Sequence, residues 1–170
     1  MIVNPYPSMS LEAARLWVEA NPDKVMGLTS GTFDLFHHLH LSYLLRCRRE
    51  CDVLIVGVDS DAEARRQKGP TRPILNEEHR LMLVNSNKHV RLCYVQDTLA
   101  DFVTVAEALL GVRGGKAFRN DLFAGREEEV ALGTARAAGA EVVIIPDVCE
   151  LDSTSAIVRK IENNAGERVG

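Results

Sequence analysis

Thr29-Ser-Gly-Thr-Phe-Asp-Leu-Phe-His-His-Leu-His40 is the stretch that decides the fold. Ahead of it, Lys24-Val-Met-Gly-Leu-Thr29 is a short apolar run bounded by Pro22 and Asp23, and behind it Leu41, Leu44 and Leu45 recur at helical spacing. A strand therefore runs into a glycine-containing turn and then a helix. Backbone N–H groups around Gly31 and Thr32, with the positive end of the following helix, form a ready anion site because those amides lack intrahelical partners. His37 and His40, three apart where the helix starts, share one face and can both donate N–H bonds to phosphate oxygens.

Working outward, helix-period segments alternate with short β-branched runs, the pattern of βαβ units around a parallel sheet. Strands are predicted at Lys24 to Thr29, Asp52 to Val58, Val90 to Tyr94, Gly111 to Arg113 and Glu141 to Pro146. Helices are predicted near Leu39 to Arg49, Ser60 to Gln67, Asn76 to Asn85, Leu99 to Leu110, Glu127 to Ala138, and from Ser153 to about Asn163. The fold class is α/β, a Rossmann-like doubly wound parallel sheet of about five strands in an α/β/α sandwich. A leading helix capped by Ser10, with Leu11, Ala14, Leu16 and Val18 available for packing, makes residues 1–23 a helical extension and 24–170 the main domain. The stretch Lys68-Gly-Pro-Thr-Arg-Pro-Ile-Leu75 is rich in turn formers and reads as an exposed loop, where binding residues concentrate.

Composition limits the function. The chain has 170 residues, 46% of them hydrophobic, enough for one domain with a sizeable core. Twenty basic against twenty-four acidic residues leave a net charge of −4, without the cationic excess that holds a nucleic-acid backbone. No apolar run reaches the roughly 20 residues that span a bilayer, and the signs of a signal peptide are missing, so no membrane partner and a cytoplasmic location are expected. Cys47, Cys51, Cys93 and Cys149 are scattered, which predicts reduced thiols rather than a disulfide framework. A minor alternative is metal binding by His37, His38, His40 and Cys47.

The opening stretch resembles that of the cytidylyltransferase-like nucleotidyltransferases of the HxGH class, whose motif is G-x-F-D-x-x-H-x-G-H. Gly31, Phe33, Asp34, His37 and His40 match position by position, while Leu39 stands at the motif's last glycine. Histidines at a helix start can simply cap it, but five matches in the right strand-to-helix setting favour the family reading. The resemblance implies that His37 and His40 bind a triphosphate and stabilise charge on its α-phosphorus. Gly31, Thr32, Phe33 and Asp34 would border the nucleotide. A branched side chain at Leu39 is expected to crowd the sugar or base.

Val56-Gly-Val-Asp-Ser-Asp61, then Lys68-Gly-Pro-Thr-Arg-Pro73 and Arg80, resemble the second region of the superfamily, above all the adenylyltransferase domain of ADP-heptose synthesis. By that likeness Lys68 is the mobile cation between the two reacting phosphates, Arg72 reaches phosphate, and Arg80 anchors the loop through an ion pair. Asp59 and Asp61 could contact substrate hydroxyls, or Ser60 or Asp61 simply caps the next helix. Val112-Arg-Gly-Gly-Lys-Ala-Phe118 is similar to V-K-G-G-D-Y, with Arg113 for lysine and Lys116 for aspartate, which assigns Arg113 and Gly114 to the nucleotide. Leu151-Asp-Ser-Thr-Ser-Ala-Ile157 matches a closing S-T-S-x-I motif, placing Ser153 and Thr154 on the β- and γ-phosphates.

Together these imply in-line attack of a substrate phosphate on the α-phosphorus, with pyrophosphate leaving with Mg²⁺ and no protein nucleophile. The partners implied are a nucleoside triphosphate, ATP or CTP, and a phosphorylated small molecule. A sugar 1-phosphate such as a heptose phosphate leads, with glycerol 3-phosphate, ethanolamine phosphate and FMN open, and a homodimer is expected. Leu39 leaves room for a non-catalytic nucleotide-binding or regulatory module.

Overall fold

The computed structural model describes residues 11–110, 114–120, 126–146 and 154–166. Along the chain the elements are α1 (Leu11–Ala20), β1 (Met26–Gly31), α2 (His38–Arg49), β2 (Val53–Asp59), α3 (Asp61–Lys68), α4 (Glu77–Asn85), β3 (Leu92–Gln96), α5 (Leu99–Leu109), β4 (Lys116–Asn120), α6 (Arg126–Ala137), β5 (Glu141–Ile145) and α7 (Thr154–Gly166). Every residue of β2 is buried, as a strand covered on both faces requires. The sheet is parallel at every pairing and ordered β3-β2-β1-β4-β5. The chain steps outward from β1 to β3, then crosses back to place β4 on the other side of β1. That reversal opens a crevice outside the carboxyl ends of β1 and β4, where ligands bind in open α/β sheets.

Two cores follow from strand alternation. Met26, Leu28, Val53, Ile55 and Leu92 pack on one face against Phe102, Val105 and Leu109 of α5, with Val18 of α1 and Ala135 of α6 joining them. Leu54, Val56, Val58, Cys93 and Phe118 pack on the other against Leu44 and Cys47 of α2 and Val84 of α4. Among the described residues no helix is long and apolar enough to cross a membrane.

A strand that the sequence reading did not place, β4, forms at Lys116–Asn120, while the short strand expected near Gly111 to Arg113 lies outside the described residues. Its polar ends are tolerated because Lys116 pairs with Glu50 at 3.1 Å and Arg119 lies over the Phe102 ring at 5.3 Å. In α1, Val18 is buried but Leu16 is 54% exposed, the helix packing chiefly against α5. Ser10 falls outside the described residues. Cys47 is fully buried and its thiol is pushed up to about 12, chiefly by desolvation, and no group of three potential metal ligands exists among the described residues, so the metal alternative fails.

Candidate active site

Between β1 and α2 the chain turns through Thr32 to Phe36, with Phe33 at φ 51° and Leu35 at φ 47°. Left-handed backbone at non-glycine residues costs about 1–3 kcal/mol each and persists only where surroundings hold it. Asp34 does the holding. Its carboxylate, 1% exposed, accepts from the amides of Ile74 at 2.9 Å and Leu75 at 3.0 Å and from Arg72 Nε at 2.9 Å. Burial alone would raise its pKa, but those amides and the Arg72 guanidinium outweigh it and hold the carboxyl below its usual range. Asp34, expected on the nucleotide, and Arg72, expected on substrate phosphate, are thus turned to each other, and they fasten the Gly69 to Leu75 loop over the turn.

His37 is the N-cap of α2 rather than part of its first turn: its Nδ1 accepts from the Leu39 amide at 3.3 Å, and its own amide donates to His40 Nδ1 at 3.4 Å. The rings lie 4.0 Å apart between centroids. With both Nδ1 atoms accepting, each neutral imidazole is assigned its proton on Nε2. The caps therefore use one nitrogen of each ring, Nδ1. His37 Nε2 lies 3.2 Å from the hydroxyl of Thr154 at the start of α7, which donates onward to the Asp34 carbonyl at 3.1 Å. His40, edged by the Phe33 ring at 5.4 Å and the Phe36 ring at 5.5 Å, has its pKa pushed down to about 3 by burial and then by the charges of His37 and Lys68. It is a neutral donor near pH 7.

Lys68, the last residue of α3, keeps solvent access, yet packing around its ammonium lowers its pKa against the raising pull of Asp59 and Asp34. Its charge bears on His40, so an ammonium and two imidazoles share the carboxyl edge with Thr154. Gly31 ends β1 beside them.

Of the alternatives for Asp59, Ser60 and Asp61, capping of α3 is met by Ser60. Asp59 is 3% exposed and accepts from the Thr32 hydroxyl at 2.8 Å, and burial raises its pKa. Asp61 pairs with Arg80 at 2.8 Å. Arg80, wholly buried, also donates to the carbonyls of Thr32 and Asp59 at 2.7 Å each and of Leu75 at 2.9 Å. It anchors the loop as predicted, and ties two strand ends to α4.

Arg113 and Ser153 lie outside the described residues, while Gly114 is exposed with φ 60°. Sequence reasoning missed Arg119, 9% exposed on β4, whose Nη1 donates to the Ser30 carbonyl at 3.3 Å and whose charge acts on Asp59. No signal in the sequence marked it, because β4 itself is not legible there.

With this geometry in hand, the pattern of the cytidylyltransferase-like family matches residues 28–161. Proteins titled "Bifunctional protein HldE" are similar: that of Bradyrhizobium diazoefficiens is 34% identical over 142 residues, covering 82% of this chain and 27% of the relative. That of Granulibacter bethesdensis is 40% identical over 140 residues, with 80% and 27% covered. The chain spans about a quarter of the length of these relatives. Among solved structures, a lipopolysaccharide core biosynthesis protein from Thermoplasma volcanium aligns with TM-score 0.56 at 23% identity, over 73% of this chain and 96% of that one. Pantoate-beta-alanine ligase from Francisella tularensis aligns with TM-score 0.51 at 12% identity, over 81% and 65%. At those identities the two structures speak for the fold alone.

Proposed function

This chain belongs to the cytidylyltransferase-like family of nucleotidyltransferase enzymes, and from that premise we propose that it transfers the adenylyl group of ATP to a heptose 1-phosphate, releasing pyrophosphate. The observation that carries the proposal is the meeting of His37, His40, Lys68 and Thr154 at the carboxyl edge of β1. Those groups suit a polyphosphate: two imidazoles, an ammonium and a hydroxyl gathered at the starts of α2 and α7.

In this reading the acceptor's phosphate oxygen attacks the α-phosphorus in line. A P–O bond forms to the acceptor as the bond to the bridging α–β oxygen breaks, and the electron pair leaves with pyrophosphate. The acceptor phosphate is already ionised, so no protein base is needed. Lys68 offsets the repulsion between two approaching anions, and the imidazoles take up charge that grows on the α-phosphoryl oxygens. Arg119, buried at the reversal point, adds a fixed positive field. Mg²⁺ would accompany the triphosphate, neutralising the leaving oxygens.

The choice of ATP and of a heptose phosphate rests on the Lys68 to Pro73 and Val112 to Phe118 likeness. Incubating the protein with ATP or CTP and heptose 1-phosphate, glycerol 3-phosphate, ethanolamine phosphate or FMN, followed by pyrophosphate detection, tests it. The fastest release is expected with ATP and heptose 1-phosphate. His40→Ala and Lys68→Ala are each expected to lower turnover about 10²- to 10³-fold without unfolding the protein. Unchanged release in both variants defeats the assignment.

Leu39, half-buried between the two histidines where the motif has glycine, supports a second reading: nucleotide binding without turnover. ATP binding with no pyrophosphate from any acceptor, and release restored in Leu39→Gly, would select it. A homodimer belongs to the first reading and is checked by sedimentation.

A further inference from the structure

On the outer face of the molecule a groove of about 450 Å³ opens between α2 and the end of α4, lined by Phe36, Leu41, Leu45, Leu83 and the turn at 86–89. Two of its walls are conspicuously wet for leucines: Leu41 is 44% exposed and Leu83 39%. Adjoining leucines facing water mark an interaction site more often than isolated ones do.

Charge at one end of the groove is one-sided. Lys88 and His89 line it, and the charges bearing on His89 are those of Lys88, Arg48 and Arg49. The nearest carboxylates in sequence are engaged elsewhere: Glu50 pairs with Lys116 at 3.1 Å, and Asp52 accepts from the Val25 amide at 2.8 Å. A cationic rim thus stands on a chain whose net charge is −4.

We propose that this groove docks an acidic amphipathic helix of a partner protein, its apolar face on Phe36, Leu41 and Leu83 and its carboxylates against Arg49 and Lys88. A helix laid in a groove needs apolar anchors at i, i+3 or i+4, and i+7, which the leucine floor accepts. The competing occupants fit less well. Nucleic acid would meet the cations but find leucine side chains where bases or sugars should lie. An anionic bilayer needs a protruding apolar surface, and this one is concave. A second copy related by a two-fold axis would bring like rims together, at a cost in repulsion, so any homodimer is expected to use another face. Phe36 is shared between groove and site, its ring 5.5 Å from that of His40, so an occupant would press one ring away from the candidate catalytic histidine.

The probe is a fluorescein-labelled synthetic helix of about 16 residues with leucine at i, i+3 and i+7 and glutamate elsewhere, compared with the same peptide carrying lysine for glutamate. Anisotropy titration of the full chain is expected to show saturable binding of the acidic peptide, at least about tenfold weaker with the basic one. Leu83→Asp and the double variant Arg49→Glu/Lys88→Glu should each weaken the acidic peptide about tenfold, with circular dichroism unchanged. The proposal is overturned if neither peptide saturates by roughly 1 mM, if both bind alike, or if the variants bind as the parent does. It is equally overturned if sedimentation shows a self-association that Leu83→Asp abolishes, or if vesicles of anionic phosphatidylglycerol bind the chain and Leu83→Asp releases it.

Discussion

His40 shows how one residue meets two demands. Its ring is packed between Phe33 and Phe36 and faced by the charges of His37 and Lys68, so the folded protein refuses the proton that the unfolded chain accepts near pH 6.5. A basic group whose pKa is depressed on folding leaves stability intact above its unfolded value and erodes it as pH falls toward the folded value, here about 3. At about 1.4 kcal/mol per unit, the loss between pH 6.5 and pH 5 comes to about 2 kcal/mol, or about 4–8 °C in Tm for a chain this size. His40→Asn is expected to flatten the melting temperature against pH over that interval. A slope as steep as the parent's would mean that the folded imidazole is charged. At this scale the sequence was partly legible. The motif spacing located His37, His40 and Lys68, but it could not distinguish a carboxylate that touches ligand from one that fastens a loop. Asp34 and Asp61 are fasteners because Arg72 and Arg80, distant in sequence, arrive at their oxygens.

At the scale of elements, Arg80 is the bracket between β1, β2, the Gly69 to Leu75 loop and α4. Replacing it with methionine keeps bulk but strands Asp61 and two strand-end carbonyls. A loss of about 3–5 kcal/mol in urea unfolding, followed through Trp17, is expected. Gly27 fixes a second contact: a Cβ there would stand 2.6 Å from both Cys51 Sγ and the Phe118 ring. Gly27→Ala should cost about 1–3 kcal/mol by overpacking, and a neutral result would mean that β1 and β4 can move apart. Element types were readable from periodicity, since β2 and α2 carry clean signals. β4 was not, because Lys-Ala-Phe-Arg-Asn alternates charge with small and aromatic residues. Only the flanking β1 and β5, with Glu50 and Phe102 beneath its ends, make that segment a central strand.

Across the whole molecule, the chain's return past β1 brings residues from distant stretches to one edge: the turn after β1, the end of α3, β4 and the start of α7. A ligand bridging them adds to the coupling between the two halves of the sheet, β3-β2-β1 and β4-β5, whose strands pair through the short β1–β4 register and whose side chains share both cores. Binding to the native state alone adds about 2.7 kcal/mol when ligand stands at 100 times Kd. For this size that is a rise of about 5–10 °C in Tm. ATP with Mg²⁺ is expected to produce it in the parent protein, and Lys68→Ala should show less than half the shift at the same concentration, because weaker binding lowers the ratio of ligand to Kd. Hydrogen exchange sharpens the test: slowing should spread to β4 and to the first turn of α7 as well as to β1. Protection confined to β1 and α2 would show that the triphosphate does not span the crevice, and that Thr154 and Arg119 stand beside the site without belonging to it.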